Sequence, residues 1–131
     1  MIFVDTSAVL SVINTKDEQH ATATREWNRL LDQRENLLPT SYTLAEMIAL
    51  TQRRFGIDTV RRLDAELLPL LEIVWVDADI HQAALTAVFA AGRRNLSLID
   101  CASFEVMRRR GLRTAFTLDR HFAEQGFDIV P

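Results

Sequence analysis

The sequence predicts an α/β fold, a three-layer α/β/α sandwich with a central parallel sheet of four to five strands. Short apolar runs, each suited to a buried strand, recur along the chain. Stretches with apolar residues at helical spacing separate them, and this alternation is typical of right-handed crossovers that cover both faces of a sheet. The length of 131 residues fits a single domain, 1–131. The predicted strands are residues 2–4, 36–38, 73–76, 114–117 and 128–130.

Three helical patterns lie between the second and the fourth of these strands. Their apolar residues recur every three or four positions, which predicts helices with one buried face. Gly56 separates the first pattern from the second. Pro69 is expected to end or kink the second, because proline lacks the N–H that a helix interior requires. The patterns cover residues 44–55, 60–70 and 80–91.

The charge pattern excludes a protein that holds nucleic acid by a uniformly basic surface. The formal net charge is −3, and Lys16 is the one lysine among 15 basic residues. The arginines fall in small groups, and each group has two explanations: a phosphate contact, because the planar guanidinium suits phosphate, or a solvated helix face. The solvated face is the commoner of the two for any single group.

The expected compartment is the cytoplasm. The lone Cys101 cannot form an intrachain disulfide, which indicates a reducing environment. The chain begins MIFVDTS, with no basic segment ahead of its apolar residues and a charge already at Asp5. This start predicts neither a signal peptide nor a membrane span.

Four acidic residues stand where a predicted strand gives way to a loop or a helix. They are Asp5, Glu46, Asp100 and Asp119. In parallel sheets, ligands bind beyond the carboxyl ends of the strands, so we expect these side chains to converge. Converging carboxylates form a site for a hard divalent cation, the kind of ion that supports phosphodiester hydrolysis.

Each acid also has a structural explanation. The segments 43–46 and 97–100 both match the capping box, in which a carboxylate three residues into a helix bonds back to the cap. Asp5 would cap a helix that begins near Ser7, and Asp119 would occupy an ordinary turn. Capping is the better explanation for either segment alone, whereas one metal site explains all four acids together. The two roles are compatible, because a capping carboxylate keeps a free oxygen.

The residues around the acids resemble a known family of nucleases. The four motifs read VDTSAVL at 4–10, SYTLAEM at 41–47, LSLIDCASF at 96–104 and TLDRHF at 117–122. In their order and spacing they resemble the PIN-domain nucleases and, more narrowly, the VapC ribonuclease toxins. The resemblance runs from Ile2 to Pro131.

The resemblance implies a catalytic set of Asp5, Glu46, Asp100 and Asp119. Asp5, Asp100 and Asp119 would be the metal positions for Mg²⁺ or Mn²⁺, with Asp5 and Asp100 in direct contact and Glu46 and Asp119 acting through bound water. Divalent ions can activate a water and offset the negative charge on phosphate oxygens. Carboxylates are the side chains that would hold such ions at the site.

Four further residues near the acids have open roles. The hydroxyls of Thr6 and Ser97 would hold a carboxylate or a water, or else serve as caps. Arg120 is a candidate for contacting substrate phosphate, with a surface role as the alternative. His121 follows Asp119 by two residues. A general-base role for it is not favoured, because a metal-bound hydroxide would need no separate base to deprotonate the attacking water.

The resemblance also implies a function and partners. The expected function is a metal-dependent endoribonuclease that hydrolyses RNA and acts as the toxin of a VapBC-type pair. The expected partner is a small antitoxin that places a basic residue among the acids and an apolar helix near Trp27, Leu44 or Phe55. A homodimer is also expected.

Other classes fit the sequence less well. A phosphoacceptor module needs an early acidic pair and a lysine after a late strand, whereas this chain has Asp5 alone and its lysine at Lys16. An aspartyl-phosphate phosphatase needs a second Asp where Ser7 stands. Two alternatives remain: a PIN-domain nuclease that processes RNA without being a toxin, and a catalytically inactive PIN-like nucleic-acid-binding module, which would more commonly have lost an acid.

Overall fold

The computed structural model describes all residues 1–131 and contains a four-stranded parallel sheet with seven α-helices. The predicted α/β class is confirmed, with four strands in the sheet. The strands are β1 (Ile2–Val4), β2 (Leu37–Leu38), β3 (Thr114–Phe116) and β4 (Asp128–Val130), in the order β2-β1-β3-β4. The helices are α1 (Thr6–Ile13), α2 (His20–Asp32), α3 (Ser41–Phe55), α4 (Ile57–Arg62), α5 (Ala78–Ala91), α6 (Leu98–Arg110) and α7 (His121–Glu124).

The two central strands contribute to a core on each face of the sheet. Neighbouring side chains of a strand point to opposite faces. Phe3 of β1 and Ala115 of β3 pack in one buried cluster with residues of α5 and α6. Val4 and Phe116, their immediate neighbours, pack in a second cluster with residues of α1, α2 and α3. All four are fully buried, as expected for a parallel sheet covered on both faces.

The predicted strand at 73–76 is wrong, and Pro39 explains why. Val74 forms a parallel bridge with Thr40, just after β2. The Val74 N–H donates to the carbonyl of Pro39, and the Val74 carbonyl accepts from the N–H of Ser41, both at 2.9 Å. The next ladder bond would run from residue 39 to the carbonyl of Glu72. Proline has no N–H to donate, so the pairing remains a single bridge.

The second predicted helix, 60–70, is shorter than its apolar pattern. Gly56 separates α3 from α4 as predicted, with a positive φ of 89° that glycine adopts without strain. The α-helix then ends at Arg62 and loosens into a wider π-type turn over Leu63–Leu67 and a tight turn over Leu68–Leu70. Pro69 lies in that tight turn, and its ring and missing N–H are incompatible with a continuous α-helix.

Phe116 provides a test of this core. Its side chain is fully buried, with its ring centroid 5.9 Å from that of Trp27. Phe116→Ala should lower the free energy of unfolding by about 3–5 kcal/mol, because it removes apolar contacts and leaves a cavity. Phe89→Ala is the matched control, since Phe89 is 74% exposed, and it should change stability by under about 0.5 kcal/mol. Equal losses in urea denaturation would contradict the assigned core.

Candidate metal and active site

The four predicted acids line one groove at the carboxyl ends of β1 and β3. The groove has a volume of about 460 Å³. Asp5 follows β1 and Asp119 follows β3, while α3 contributes Glu46 and α6 contributes Asp100. The parallel sheet explains the convergence, since both strand ends open at the same edge.

Asp5 is buried and held by two hydroxyl groups. It stands at the N-cap position of α1 but makes no side-chain capping bond. Its Oδ2 instead accepts from Ser7 Oγ at 2.7 Å and from Thr117 Oγ1 at 2.8 Å. Its Oδ1 has no protein hydrogen bond, so that oxygen remains free for another ligand.

The pKa of Asp5 is raised from 3.8 to about 6. Burial is the largest cause, because it disfavours the charged carboxylate. The hydrogen bonds from Ser7 and Thr117 lower the pKa, while the charges of Asp100 and Asp119 raise it further. A cation in the groove would offset these unfavourable contributions.

Asp100 combines a capping role with a place in the groove. Ser97 Oγ accepts from the Asp100 N–H, and Asp100 Oδ2 accepts from the Ser97 N–H, each at 3.1 Å. This capping box starts α6 and matches the spacing in the sequence. It uses one carboxylate oxygen and leaves Oδ1 free of protein hydrogen bonds.

Asp119 lies beside His121, a residue for which the sequence favoured no catalytic role. Asp119 Oδ1 accepts from the backbone N–H of His121 at 2.9 Å. The imidazole Nδ1 lies 3.1 Å from the same oxygen, but without the alignment of a hydrogen bond. Possible ligand atoms of Asp100, Asp119 and His121 all lie within 4.8 Å of one another. These three side chains are therefore grouped closely enough to hold one metal ion.

Glu46 has no structural role as a helix cap. The N-cap of α3 is Thr40, whose Oγ1 accepts from the Thr43 N–H at 3.0 Å. The capping box proposed for residues 43–46 is therefore wrong, because the helix begins earlier than the pattern indicated. Glu46 is half-buried in the groove and makes no hydrogen bond or ion pair with the protein.

The two hydroxyls predicted to support the acids, those of Thr6 and Ser97, both line the groove but make different hydrogen bonds. Ser97 lines the groove and caps Asp100. Thr6 also lines the groove, but its hydroxyl donates to the Thr43 carbonyl at 3.3 Å and so joins α1 to α3. Ser7 holds Asp5 instead, and the sequence analysis missed it in this role. The sequence carried no signal for this role, because the choice between Thr6 and Ser7 depends on how α1 leaves β1.

The groove includes two more charged residues: Asp17, which the sequence did not single out, and Arg54, which belongs to one of the arginine groups with two explanations. Asp17 and Arg54 line it together with the four acids. Arg120 is exposed at the start of α7 and is not among the residues that line the groove. No sequence motif marks Arg54, because it comes to the groove by lying eight residues after Glu46 on one helix.

Comparison with known proteins identifies the family. The PIN-domain family profile matches residues 2–128 of this chain. The 23S rRNA-specific endonuclease VapC20 of Mycobacterium tuberculosis is 31% identical over 128 residues, which covers 97% of this chain and 95% of VapC20. The chain belongs to the PIN-domain family. Within it, the chain is similar to the VapC toxins, the group that its sequence resembles.

Solved structures agree with that assignment. The crystal structure of M. tuberculosis VapC20, a sarcin-ricin loop cleaving toxin, has a TM-score of 0.85 and 30% identity, with both chains covered completely. FitAcB from Neisseria gonorrhoeae has a TM-score of 0.74 at 18% identity, covering 100% of this chain and 97% of its own. DNA-bound VapBC from Salmonella typhimurium has a TM-score of 0.70 at 19% identity, covering 98% and 97%. The last two likenesses concern the fold alone.

The raised pKa of Asp5 predicts how stability depends on pH. The folded protein binds the Asp5 proton more tightly than the unfolded chain, so stability should fall as the pH rises from 3.8 through about 6. The full shift corresponds to about 3 kcal/mol. In EDTA at about pH 7.5, Asp5→Asn should exceed the wild type in stability by up to this amount, and the difference should vanish near pH 4. Urea denaturation at several pH values measures it.

Asp128→Asn is the control for that comparison, because Asp128 is exposed on β4 and its side chain makes no hydrogen bond or ion pair. It should follow the wild-type pH profile. Parallel profiles for wild type and Asp5→Asn would contradict the assigned cause.

Proposed function

We propose that this chain is a single PIN-like nuclease domain, 1–131, whose RNA cleavage depends on Mg²⁺ or Mn²⁺ and is held in check by an antitoxin. The observation that carries the metal dependence is the grouping of acids in one groove. Ligand atoms of Asp100, Asp119 and His121 lie within 4.8 Å of one another, beside the buried Asp5. So many carboxylates without a cation would repel each other.

The donor set fits a divalent cation. Asp5 and Asp100 each keep one carboxylate oxygen free of protein hydrogen bonds, and Asp119 likewise commits only its Oδ1. Free carboxylate oxygens suit both Mg²⁺ and Mn²⁺. A bound cation would lower the pKa of a water and offset negative charge on the phosphate.

The chain's own residues would orient the reacting groups. Ser7 and Thr117 hold Asp5, and Ser97 holds Asp100, so the free oxygens keep fixed directions when the groove binds its cation. Glu46 has no protein partner, which suits a carboxylate that holds a water or accepts its proton. Arg120, which is exposed next to Asp119 in the sequence, would contact more distant substrate phosphates.

The substrate class is RNA, by likeness to VapC20. That relative is named for cleavage of 23S rRNA, and its crystal structure describes it as a toxin that cleaves the sarcin-ricin loop. At 31% identity over 97% of this chain, the same loop of ribosomal RNA is the first substrate to test. A loop presents unpaired nucleotides, the part of RNA that sequence-specific recognition mostly targets.

An antitoxin helix has a suitable apolar groove to occupy. This second groove, of about 460 Å³, lies between α1 and the segment that includes α4. Phe55 lines it, as the sequence suggested, whereas Trp27 is buried in the core and offers no surface to a partner. Neither Trp27 nor Leu44 lines this groove. Besides Phe55, the apolar residues that line the second groove are Val12, Ile13, Leu63 and Leu67.

We also propose that the chain forms a homodimer and works in the cytoplasm. An apolar surface of Tyr42, Ala45, Ala49, Leu98 and Ile99 adjoins Glu46 and suits a second copy. No helix of the chain is both long and apolar enough to cross a membrane. The lone Cys101 and the RNA substrate agree with a reducing compartment that contains ribosomes.

Metal binding and cleavage should be lost together. Asp100→Asn should weaken Mn²⁺ binding to the purified protein by at least about tenfold and slow RNA cleavage by at least about a hundredfold. Asparagine keeps an oxygen for the capping box, so the fold should remain. Asp64→Asn is the control, because Asp64 is exposed and makes no ion pair. Calorimetry and cleavage of a sarcin-ricin loop oligonucleotide measure both effects. Full activity of Asp100→Asn, or wild-type activity in EDTA, would exclude the mechanism.

Expression in cells tests the toxin role. The wild-type chain alone should arrest growth, while co-expression of the product of the gene adjacent to its own should restore growth. Asp5→Asn should be harmless at an equal protein level, because arrest would come from cleavage. A wild-type chain that cleaves RNA in vitro but does not affect growth would instead indicate an RNA-processing nuclease.

A further inference from the structure

The acidic groove contains one basic side chain, Arg54. The groove is lined by Asp5, Asp17, Glu46, Asp100 and Asp119, and no other lysine or arginine lines it. An RNA strand carries a negative charge at each phosphate and must approach these carboxylates. A bound cation offsets part of that repulsion at the cleavage point, but it acts at that point alone.

Arg54 is also free to bind a ligand. Many arginines of the chain form ion pairs with nearby carboxylates: Arg29 with Glu26, Arg61 with Asp58, Arg62 with Glu66, Arg93 with Glu124, and Arg109 with Asp79 and Glu105. Arg54 has no carboxylate within 4.0 Å and makes no side-chain hydrogen bond, although Asp17 and Glu46 line the same groove. All the donors of its guanidinium are therefore available.

The position of Arg54 along α3 separates it from the metal site. Glu46, Leu50 and Arg54 follow one another at four-residue intervals, so they share one face of the helix, and all three line the groove. Eight residues of α-helix span roughly 12 Å. Arg54 thus lies farther along the groove than Glu46, and its long side chain can reach back from there toward a strand that crosses the acids.

We propose that Arg54 positions the substrate by holding a backbone phosphate adjacent to the scissile phosphate. This inference rests on the proposed function, since it assumes that RNA enters the acidic groove. A guanidinium stays charged at all relevant pH values and binds two phosphate oxygens at once through parallel N–H bonds. Arg54 therefore fixes the direction in which the strand crosses the acids and does not take part in the chemistry.

The chain provides a matched control at Arg53. Arg53 and Arg54 are both exposed, both lie in the last turn of α3, and neither forms an ion pair. Arg53 does not line the groove. Arg53→Gln and Arg54→Gln remove the same charge from adjacent positions. Any difference in RNA binding between them therefore comes from the position of Arg54 in the groove and not from the net charge.

The experiment measures binding of a fluorescein-labelled RNA hairpin with an unpaired loop to the full chain, by anisotropy in EDTA over a range of salt concentrations. Arg54→Gln should raise the Kd roughly tenfold and reduce the slope of log K against log salt by about 0.7, the value for one phosphate contact to a single strand. Arg53→Gln should leave the slope unchanged. Arg54→Lys should keep the slope but recover only part of the affinity, because an ammonium lacks the planar fork.

Cleavage kinetics and metal binding separate the possible failures. With Mn²⁺ present, Arg54→Gln should raise KM and leave kcat nearly unchanged, while Mn²⁺ affinity stays at the wild-type value. Equal effects of the two glutamine variants, alongside wild-type binding and cleavage of RNA, would overturn the role of Arg54 alone. A wild-type chain that neither binds RNA in EDTA nor cleaves it with Mn²⁺ would overturn both this inference and the proposed function.

Discussion

The arrangement of the groove depends on a conflict at Asp5, whose carboxylate is buried and yet, in the proposed mechanism, has to bind a cation. Burial alone would favour the neutral acid, which is a poor metal ligand. Two hydroxyls, from Ser7 at the start of α1 and Thr117 at the end of β3, partly oppose that tendency by donating to Oδ2. They also tie the ends of the two central strands together, because Ser7 Oγ accepts from the Leu118 N–H. The geometry of the acids and the pairing of β1 with β3 therefore support each other.

The fold and the four acids were readable from the sequence because both depend on local order. A short apolar run followed within three residues by a carboxylate describes both β1 with Asp5 and β3 with Asp119. Parallel pairing then brings the two strand ends to one edge without further information. The capping box at Ser97 and Asp100 was also local, since its two residues lie within one helical turn.

Other features depended on contacts that sequence spacing does not encode. Whether Thr6 or Ser7 would hold Asp5 depends on how α1 leaves β1, and Thr117 joins from a strand far along the chain. The segment at 73–76 has a strand-like composition, but the absent N–H of Pro39 on its neighbour limits the ladder to one bridge. Arg54 belongs to a common arginine pair, and only the packing of α3 distinguishes it from Arg53. His121 was discounted as a general base because metal chemistry would supply that step, and its position beside Asp100 and Asp119 as a possible ligand is a tertiary property.

The capping box has a consequence for local unfolding. Asp100 joins the first turn of α6 to the groove, because one of its oxygens bonds the Ser97 N–H and its carboxylate belongs to the group that can hold an ion. Opening of that turn would release the carboxylate, and a cation that binds only the closed form must stabilise it by mass action. Amide hydrogen exchange at the start of α6 would then slow as the cation concentration rises. The helix terminus would thus act as a reporter of occupancy that requires no RNA.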